Sequence, residues 1–243
     1  VRGAFRLARL ALHLLWGVAT VALLFPWIAP GRRLGLKRRW SRQLLSVLGI
    51  RLAADRHAPV PAGMVVANHI SWLDIFVINA VAPCAFVSKD EVRAWPVIGW
   101  LSAKTDTIFL ERGSRRAAHR ATEHVEECLR RGQRVAIFPE GTTSDGRQLL
   151  PFHSALIQPA VDAGCVLLPV ALSYLDEQGR PSMAAAYVGD TSLGQSLLAI
   201  AMASRITARP AFLPAVSAAD SDRRHLSATL HRHISHGLVS RER

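Results

Sequence analysis

Acidic residues are missing from the first 54 positions of this 243-residue chain; the first one is Asp55. Ten basic residues stand there unopposed: Arg2, Arg6, Arg9, Arg32, Arg33, Lys37, Arg38, Arg39, Arg42 and Arg51. The chain as a whole has 30 Lys and Arg against 18 Asp and Glu, a formal charge of +12, so residues 55–243 are close to neutral. A positive excess of this size draws an anionic partner. Nucleic acid fits its amount but not its distribution, because few aromatics accompany the basic residues and the stretch between them is lipid-like. Cysteine is scarce too: Cys84, Cys128 and Cys165 are an odd number with no C-x-x-C pair. Reduced, intracellular thiols are therefore expected. No His, Cys or Asp spacing matches a zinc site, so no metal is expected, and His231, His233 and His236 read as solvated positions on a basic helix. There is no internal repeat and no low-complexity tract. Half the residues are apolar, which excludes a disordered chain.

Between Leu10 and Gly31 there is no charged residue of either sign. Some twenty apolar residues suffice to cross a bilayer core, and Trp16 and Trp27 suit its interfaces. His13, Pro26 and Pro30 interrupt the run. It reads as a spanning helix, as a helix or hairpin half-immersed in one leaflet, as a signal peptide, or as a buried core helix. The basic run from Arg32 to Arg42 holds the following chain near anionic lipid, at about 1 kcal/mol per basic side chain close to the surface. By the positive-inside rule that places the domain on the cytoplasmic face of the inner membrane. The expected division is a membrane-associating segment, 1–50, and an α/β domain, 51–243.

Beyond a basic helix at 34–48, apolar strands alternate with amphipathic helices. Strands are expected at 64–67, 85–88, 107–110, 134–138, 166–174 and 184–189, with an irregular strand region at 204–216. Helices are expected at 71–81, near 96–103, and at 114–131, 155–164 (closed by Gly164), 192–201 and 220–238. This alternation implies a mixed, largely parallel sheet covered by helices.

Three motifs carry chemistry. Asn68-His69-Ile70-Ser71-Trp72-Leu73-Asp74 follows a strand. Five residues turn about 500° on a helix, so His69 and Asp74 meet only if His69 sits in the loop and Asp74 in the first helical turn. The Asp then accepts from one ring nitrogen and leaves the other free as a base. Ser71-x-x-Asp74 also reads as a capping-box-like helix start, which explains Asp74 without catalysis. Phe138-Pro139-Glu140-Gly141-Thr142-Thr143-Ser144 follows a buried strand, where α/β proteins place ligands; it also reads as an ordinary polar turn. Arg112, at the end of Thr107–Leu110, suits a bidentate phosphate contact or a plain surface position.

In this order and spacing the pieces resemble the lysophospholipid acyltransferase family, the 1-acyl-sn-glycerol-3-phosphate acyltransferases together with the lyso-ornithine lipid acyltransferases. The family's four blocks are H-x4-D, G-x-x-F-x-x-R, F-P-E-G-T and an apolar V-P block. Here they read His69–Asp74, Asp106–Arg112, Phe138–Thr142 and Leu168-Pro169-Val170, within about residues 60–175. Asp106 stands where the family has glycine, and a carboxylate beside an anionic acceptor would repel it.

The resemblance implies a glycerolipid acyltransferase-like fold. It implies that His69 would be the general base for an acceptor hydroxyl attacking an acyl thioester, with Asp74 orienting it. Arg112 would bind the acceptor's phosphate, and Glu140, Gly141 and Thr142 would shape the acceptor site. Lys89 and Arg115 are further anion contacts, and Asn68 or a loop amide would stabilise the oxyanion. No cofactor is implied beyond acyl-CoA or acyl carrier protein as co-substrate. The partners implied are anionic membrane lipids and a lysolipid acceptor. The acceptor is lysophosphatidate by default, or a lyso-ornithine lipid or other aminolipid, towards which Asp106 leans. A non-catalytic membrane-binding protein of the same fold is the alternative of another class.

Overall fold

The computed structural model describes residues 1–54, 60–110, 115–219 and 221–239. The chain opens with two helices, α1 (Arg2–Leu23) and α2 (Pro30–Val47), joined by a 3-10 turn at Phe25–Trp27. Pro30 starts α2, where its missing N–H is no loss. The helices fold back as a hairpin. His13 and Trp40, equally far from the turn, stack at 4.7 Å, and the Trp40 indole N–H donates to the His13 carbonyl at 3.3 Å. His13 Nε2 in turn lies 3.1 Å from the Trp40 carbonyl. A Cβ at Gly17 would come within 2.7 Å of the Trp40 indole nitrogen, so glycine makes room for the ring. Thus His13, an irregularity in the apolar run, is the clasp of the hairpin.

The remaining elements alternate: β1 (Ile50–Leu52), β2 (Gly63–Ala67), α3 (Asp74–Val81), β3 (Ala85–Lys89), α4 (Ile98–Lys104), β4 (Ile108–Leu110), α5 (Arg115–Arg130), β5 (Arg134–Ile137), α6 (Gln158–Asp162), β6 (Val166–Leu175), α7 (Leu193–Met202), β7 (Ile206–Phe212), β8 (Val216–Ser217) and α8 (Arg223–Val239). The strands form one sheet in the order β1-β7-β6-β2-β5-β3-β4, with β8 also paired to β6. All pairings are parallel except β6 with β7 and β6 with β8, so the sheet is mixed and largely parallel. Strand β2 is central and buried along its whole length, as a strand covered on both faces must be. Val65 and Ala67 face a core shared with residues of α2, α3 and α7; Met64 and Val66 face one built with α5, α6 and α8.

Of the ten N-terminal basic residues, Arg6, Lys37 and Arg42 tie the hairpin to the rest of the fold. Arg6 donates to the Ala201 and Ala203 carbonyls at 3.2 and 2.6 Å, at the end of α7. Arg42 donates to Ala80 O at 2.6 Å, near the end of α3. Lys37, buried, donates to the Cys84 and Thr105 carbonyls at 3.1 and 2.8 Å. Arg6 and Arg42 satisfy carbonyls that a helix end leaves without intrahelical partners.

Pro169 lies in a central strand, where a missing N–H is normally excluded. On β6 the antiparallel partner changes at this residue, from β8 (Leu167↔Val216) to β7 (Val170↔Phe212). The absent donor falls in the gap between the two pairings. The expected strand at 184–189 does not form. Both flanks of β6, the strand that precedes this segment, are already taken by β2 and by β7 with β8, so the segment cannot pair there. It crosses the sheet end instead, and the Tyr187 N–H donates to Ile70 O at 2.9 Å. The reading of His231 and His233 as solvated also needs correction. Both are half-buried, and the His231 ring meets Phe152 edge-on at 5.0 Å.

Asp106 has φ +66°, in the left-handed region that glycine occupies at little cost. Glycine meets that conformation without strain, and Asp is among the few other residues that adopt it. The residue precedes β4, at the N-terminal edge of the parallel strands, and its carboxylate faces Lys37 at 3.5 Å. Asp106 therefore lies at the edge opposite the one from which the His69–Asp74 and Phe138–Ser144 segments leave the sheet, so an acceptor bound by those segments would not meet its carboxylate. Asp106→Gly should keep wild-type turnover on an anionic acceptor and cost about 1–2 kcal/mol of stability, because buried Lys37 loses its carboxylate partner and the strain released at residue 106 offsets only part of that. Urea unfolding and steady-state kinetics check both.

Candidate active site

Strands β2 and β5 are parallel neighbours, with Val66 opposite Ile137. The segments leaving their C-terminal ends, Asn68–Asp74 and Phe138–Ser144, are therefore brought side by side, although 70 residues separate them in sequence. His69 lies in the loop and Asp74 at the first position of α3, as the spacing requires. His69 Nδ1 is 2.8 Å from Asp74 Oδ2. A carboxylate only accepts here, so Nδ1 carries the hydrogen and Nε2 presents a lone pair. The His69 side chain is 20% exposed while that of Asp74 is 0% exposed, so the imidazole is reachable and its partner is sealed.

Asp74 Oδ2 also accepts from the backbone N–H of Ile70 at 2.7 Å and of Ser71 at 3.0 Å. The capping reading thus holds in a modified form: the carboxylate caps the loop amides and holds the ring together. The imidazole lies flat on Phe138, centroid to centroid 4.0 Å at 11°.

Glu140 is buried. Its Oε1 accepts from the His69 N–H at 2.7 Å and its Oε2 from the Leu150 N–H at 2.9 Å. Burial pushes its carboxyl up, and the two backbone hydrogen bonds pull it back. The His69 carbonyl accepts from the Ser144 N–H at 2.8 Å, so the two loops are bonded in both directions. Gly141 has φ +68°, and a Cβ there would sit 3.1 Å from His153 Cδ2. Thr142 is exposed beside it, and the Thr143 hydroxyl donates to the Tyr187 carbonyl.

Other expected residues fall elsewhere. The Asn68 side chain clamps β6, donating to Leu172 O at 3.0 Å and accepting from Leu172 N–H at 2.7 Å. Its amide is buried in that structural role, so the oxyanion assignment is withdrawn. Lys89 is exposed at the C-terminal end of β3, on the same sheet edge as His69. Arg112 lies outside the described residues, as does the side chain of Arg115. Among the described residues no group of three or more His, Cys, Asp or Glu is gathered for a metal.

One residue escaped the sequence reading. Tyr174, buried on β6, donates its hydroxyl to Asp74 Oδ1 at 2.6 Å. The available signal was a lone phenol in a largely apolar central strand, since a buried Tyr hydroxyl needs a partner.

Comparison with known proteins identifies the family. A family model described as Acyltransferase matches residues 50–173. The 1-acyl-sn-glycerol-3-phosphate acyltransferase of Neisseria meningitidis is 43% identical over 186 residues, 76% of this chain and 72% of that protein. The lyso-ornithine lipid O-acyltransferase of Pseudomonas aeruginosa is 42% identical over 158 residues, 65% of this chain and 60% of that protein. The crystal structure of the 1-acyl-sn-glycerophosphate acyltransferase PlsC from Thermotoga maritima shares the fold, with a TM-score of 0.65 over 97% of both chains at 20% identity. With the family model covering half the chain and a relative at this identity aligned over three quarters of it, this protein belongs to the acyltransferase family.

Proposed function

We propose that the protein transfers a fatty acyl group from an acyl thioester to the free hydroxyl of a lysolipid at the membrane surface. The observation that carries this reading is the open Nε2 of an imidazole whose Nδ1–H is bonded to a sealed carboxylate. His69 Nε2 takes the hydroxyl proton as the acceptor oxygen attacks the thioester carbonyl. A C–O bond forms, the C–S bond breaks, and the thiolate of CoA or acyl carrier protein leaves and recovers the proton. Asp74 holds the ring and stabilises the imidazolium. Glu140 fixes the backbone of His69. Gly141 and Thr142 border the acceptor, and Arg112 supplies the cation for its phosphate.

Lysophosphatidate is the first acceptor, giving phosphatidate. A lyso-ornithine lipid is the second, supported by a relative at almost the same identity. Purified protein assayed with both lysolipids, each with acyl-CoA and acyl carrier protein, decides. Turnover of neither would overturn the reading.

The N-terminal hairpin supports a half-immersed position in one leaflet facing the cytoplasm. Residues 2–27 are long and apolar enough to cross a membrane. Yet Arg6 is tied to α7, and α2 is tied to the domain through Lys37 and Arg42. A spanning α1 would carry Arg6 to the far side, away from the domain it binds. The exposed side chains Leu12, Leu15, Trp16, Leu23 and Trp27 form an apolar surface that no protein covers. Trp27, 86% exposed at the hairpin tip, is the deepest anchor. Trp27→Ser should weaken partitioning into anionic vesicles about tenfold, read by flotation, with the melting temperature unchanged.

A further inference from the structure

The geometry assigns Tyr174 as the positioning residue of the catalytic pair, tuning His69 through Asp74. This rests on the reading of His69 as the base. Asp74 accepts four hydrogen bonds, and three of them, on Oδ2, come from its own loop: His69, Ile70 and Ser71. The fourth, on Oδ1, comes from Tyr174, a hundred residues later in the chain. It is the bond that ties the carboxylate to the sheet. Tyr174 stands on the longest strand, paired to Ala208 of β7, and its own carbonyl accepts from the Ser182 N–H at 2.8 Å. Its ring is buried, so the phenol has no freedom to leave Oδ1. The 2.6 Å separation lies within the range of charge-assisted O–H···O⁻ bonds. Burial and the adjacent Asp74 keep the phenol a neutral donor at all working pH values.

Two consequences follow for the reaction. The bond fixes the rotation of the carboxylate so that Oδ2 points at the imidazole. It also draws negative charge towards Oδ1, away from His69. Without it, more charge sits on Oδ2 and the imidazolium is held more tightly, so the base is released from its proton only at higher pH. Among the described residues the other titratable groups beside the His69 loop include Glu140, which holds its backbone from the loop after β5, and His153, against Gly141. Both keep their contacts when the Tyr174 hydroxyl is removed.

The test uses the full-length protein with Tyr174→Phe and with Tyr174 replaced by 3-fluorotyrosine, a stronger donor of nearly the same shape. Tyr174→Phe should lower kcat about threefold to tenfold with little change in KM, and move the acidic limb of the rate–pH profile up by about half a unit. Fluorotyrosine should move that limb down while the melting temperature stays at the wild-type value. Opposite displacements support the assignment, and the fluorinated variant carries it alone if the Phe variant fails to fold. An acidic limb common to all folded forms, whatever the change in kcat, reduces Tyr174 to packing and overturns it. A His69→Ala variant that keeps wild-type turnover overturns the underlying reading instead.

Discussion

Acyl transfer falls by about 10²- to 10⁴-fold when His69 is replaced by alanine, the range that a positioned general base contributes. The fall is in kcat, because His69 acts on the acceptor's proton and adds little to the binding of either lipid chain. The variant folds. The ring is 20% exposed, and its loss removes one stacking partner of Phe138 and opens no deep cavity. Asp74 keeps three of its four donors: the Ile70 and Ser71 amides and the Tyr174 hydroxyl. The His69 amide still reaches Glu140, since that contact is made by the backbone. Stability should drop by about 1–2 kcal/mol, the scale of a lost charge-assisted hydrogen bond and ring contact. Vesicle flotation should be unchanged, because the His69 ring is held by Asp74 and Phe138 and not by the hairpin. Single-turnover assays with acyl-CoA and lysophosphatidate give the measurement. A residual rate within tenfold of wild type would mean that another group takes the proton.

The pieces of the site that lie close in sequence were legible; those assembled by the sheet were not. The five-residue step from His69 to Asp74 fits one arrangement, loop followed by first helical turn, and the helix does begin at Asp74. The alternation of strands and helices was equally plain, because buried parallel strands such as β2 read as continuous apolar runs. Residues 184–189 look the same in sequence, yet both flanks of the preceding strand β6 are occupied, and strand order, which local sequence does not show, decides that. Glu140 read as a solvated or substrate-facing carboxylate, since nothing local shows that its two oxygens meet the amides of His69 and Leu150. Tyr174 was hidden for the same reason. The basic N-terminus was read as facing lipid throughout, but charge counts cannot separate Arg38 from Arg42, whose guanidinium ends on a carbonyl at the end of α3. The Asp106 departure misled in a simple way. The family's glycine was taken for a feature of the acceptor site, whereas the backbone there needs a positive φ.

Asp74→Asn should lower kcat about 10³-fold and leave the fold intact, and the reason lies in the placement of its four donors. An amide has one acceptor oxygen and one donor nitrogen, so its orientation decides what survives. Oδ2 faces three donors, two of them backbone amides that cannot turn away. The Asn oxygen therefore takes the Oδ2 place. The amide nitrogen then meets Tyr174, whose hydroxyl can rotate and accept. All four contacts persist, and His69 keeps its hydrogen on Nδ1. What disappears is the negative charge beside the developing imidazolium. At about 4 Å and an effective dielectric of about 20 that interaction is worth about 4 kcal/mol, or about 10³ in rate. KM for both substrates should stay near wild type, and the unfolding free energy within about 1 kcal/mol. Asp74→Ala separates charge from contacts: it strands the buried Ile70 and Ser71 amides and the Tyr174 hydroxyl, and should destabilise the protein by about 3–5 kcal/mol. Urea unfolding beside steady-state kinetics reads both variants. If the Asn form proves as unstable as the Ala form, Asp74 is chiefly a cap for its loop; if it turns over at the wild-type rate, its charge plays no part in the reaction.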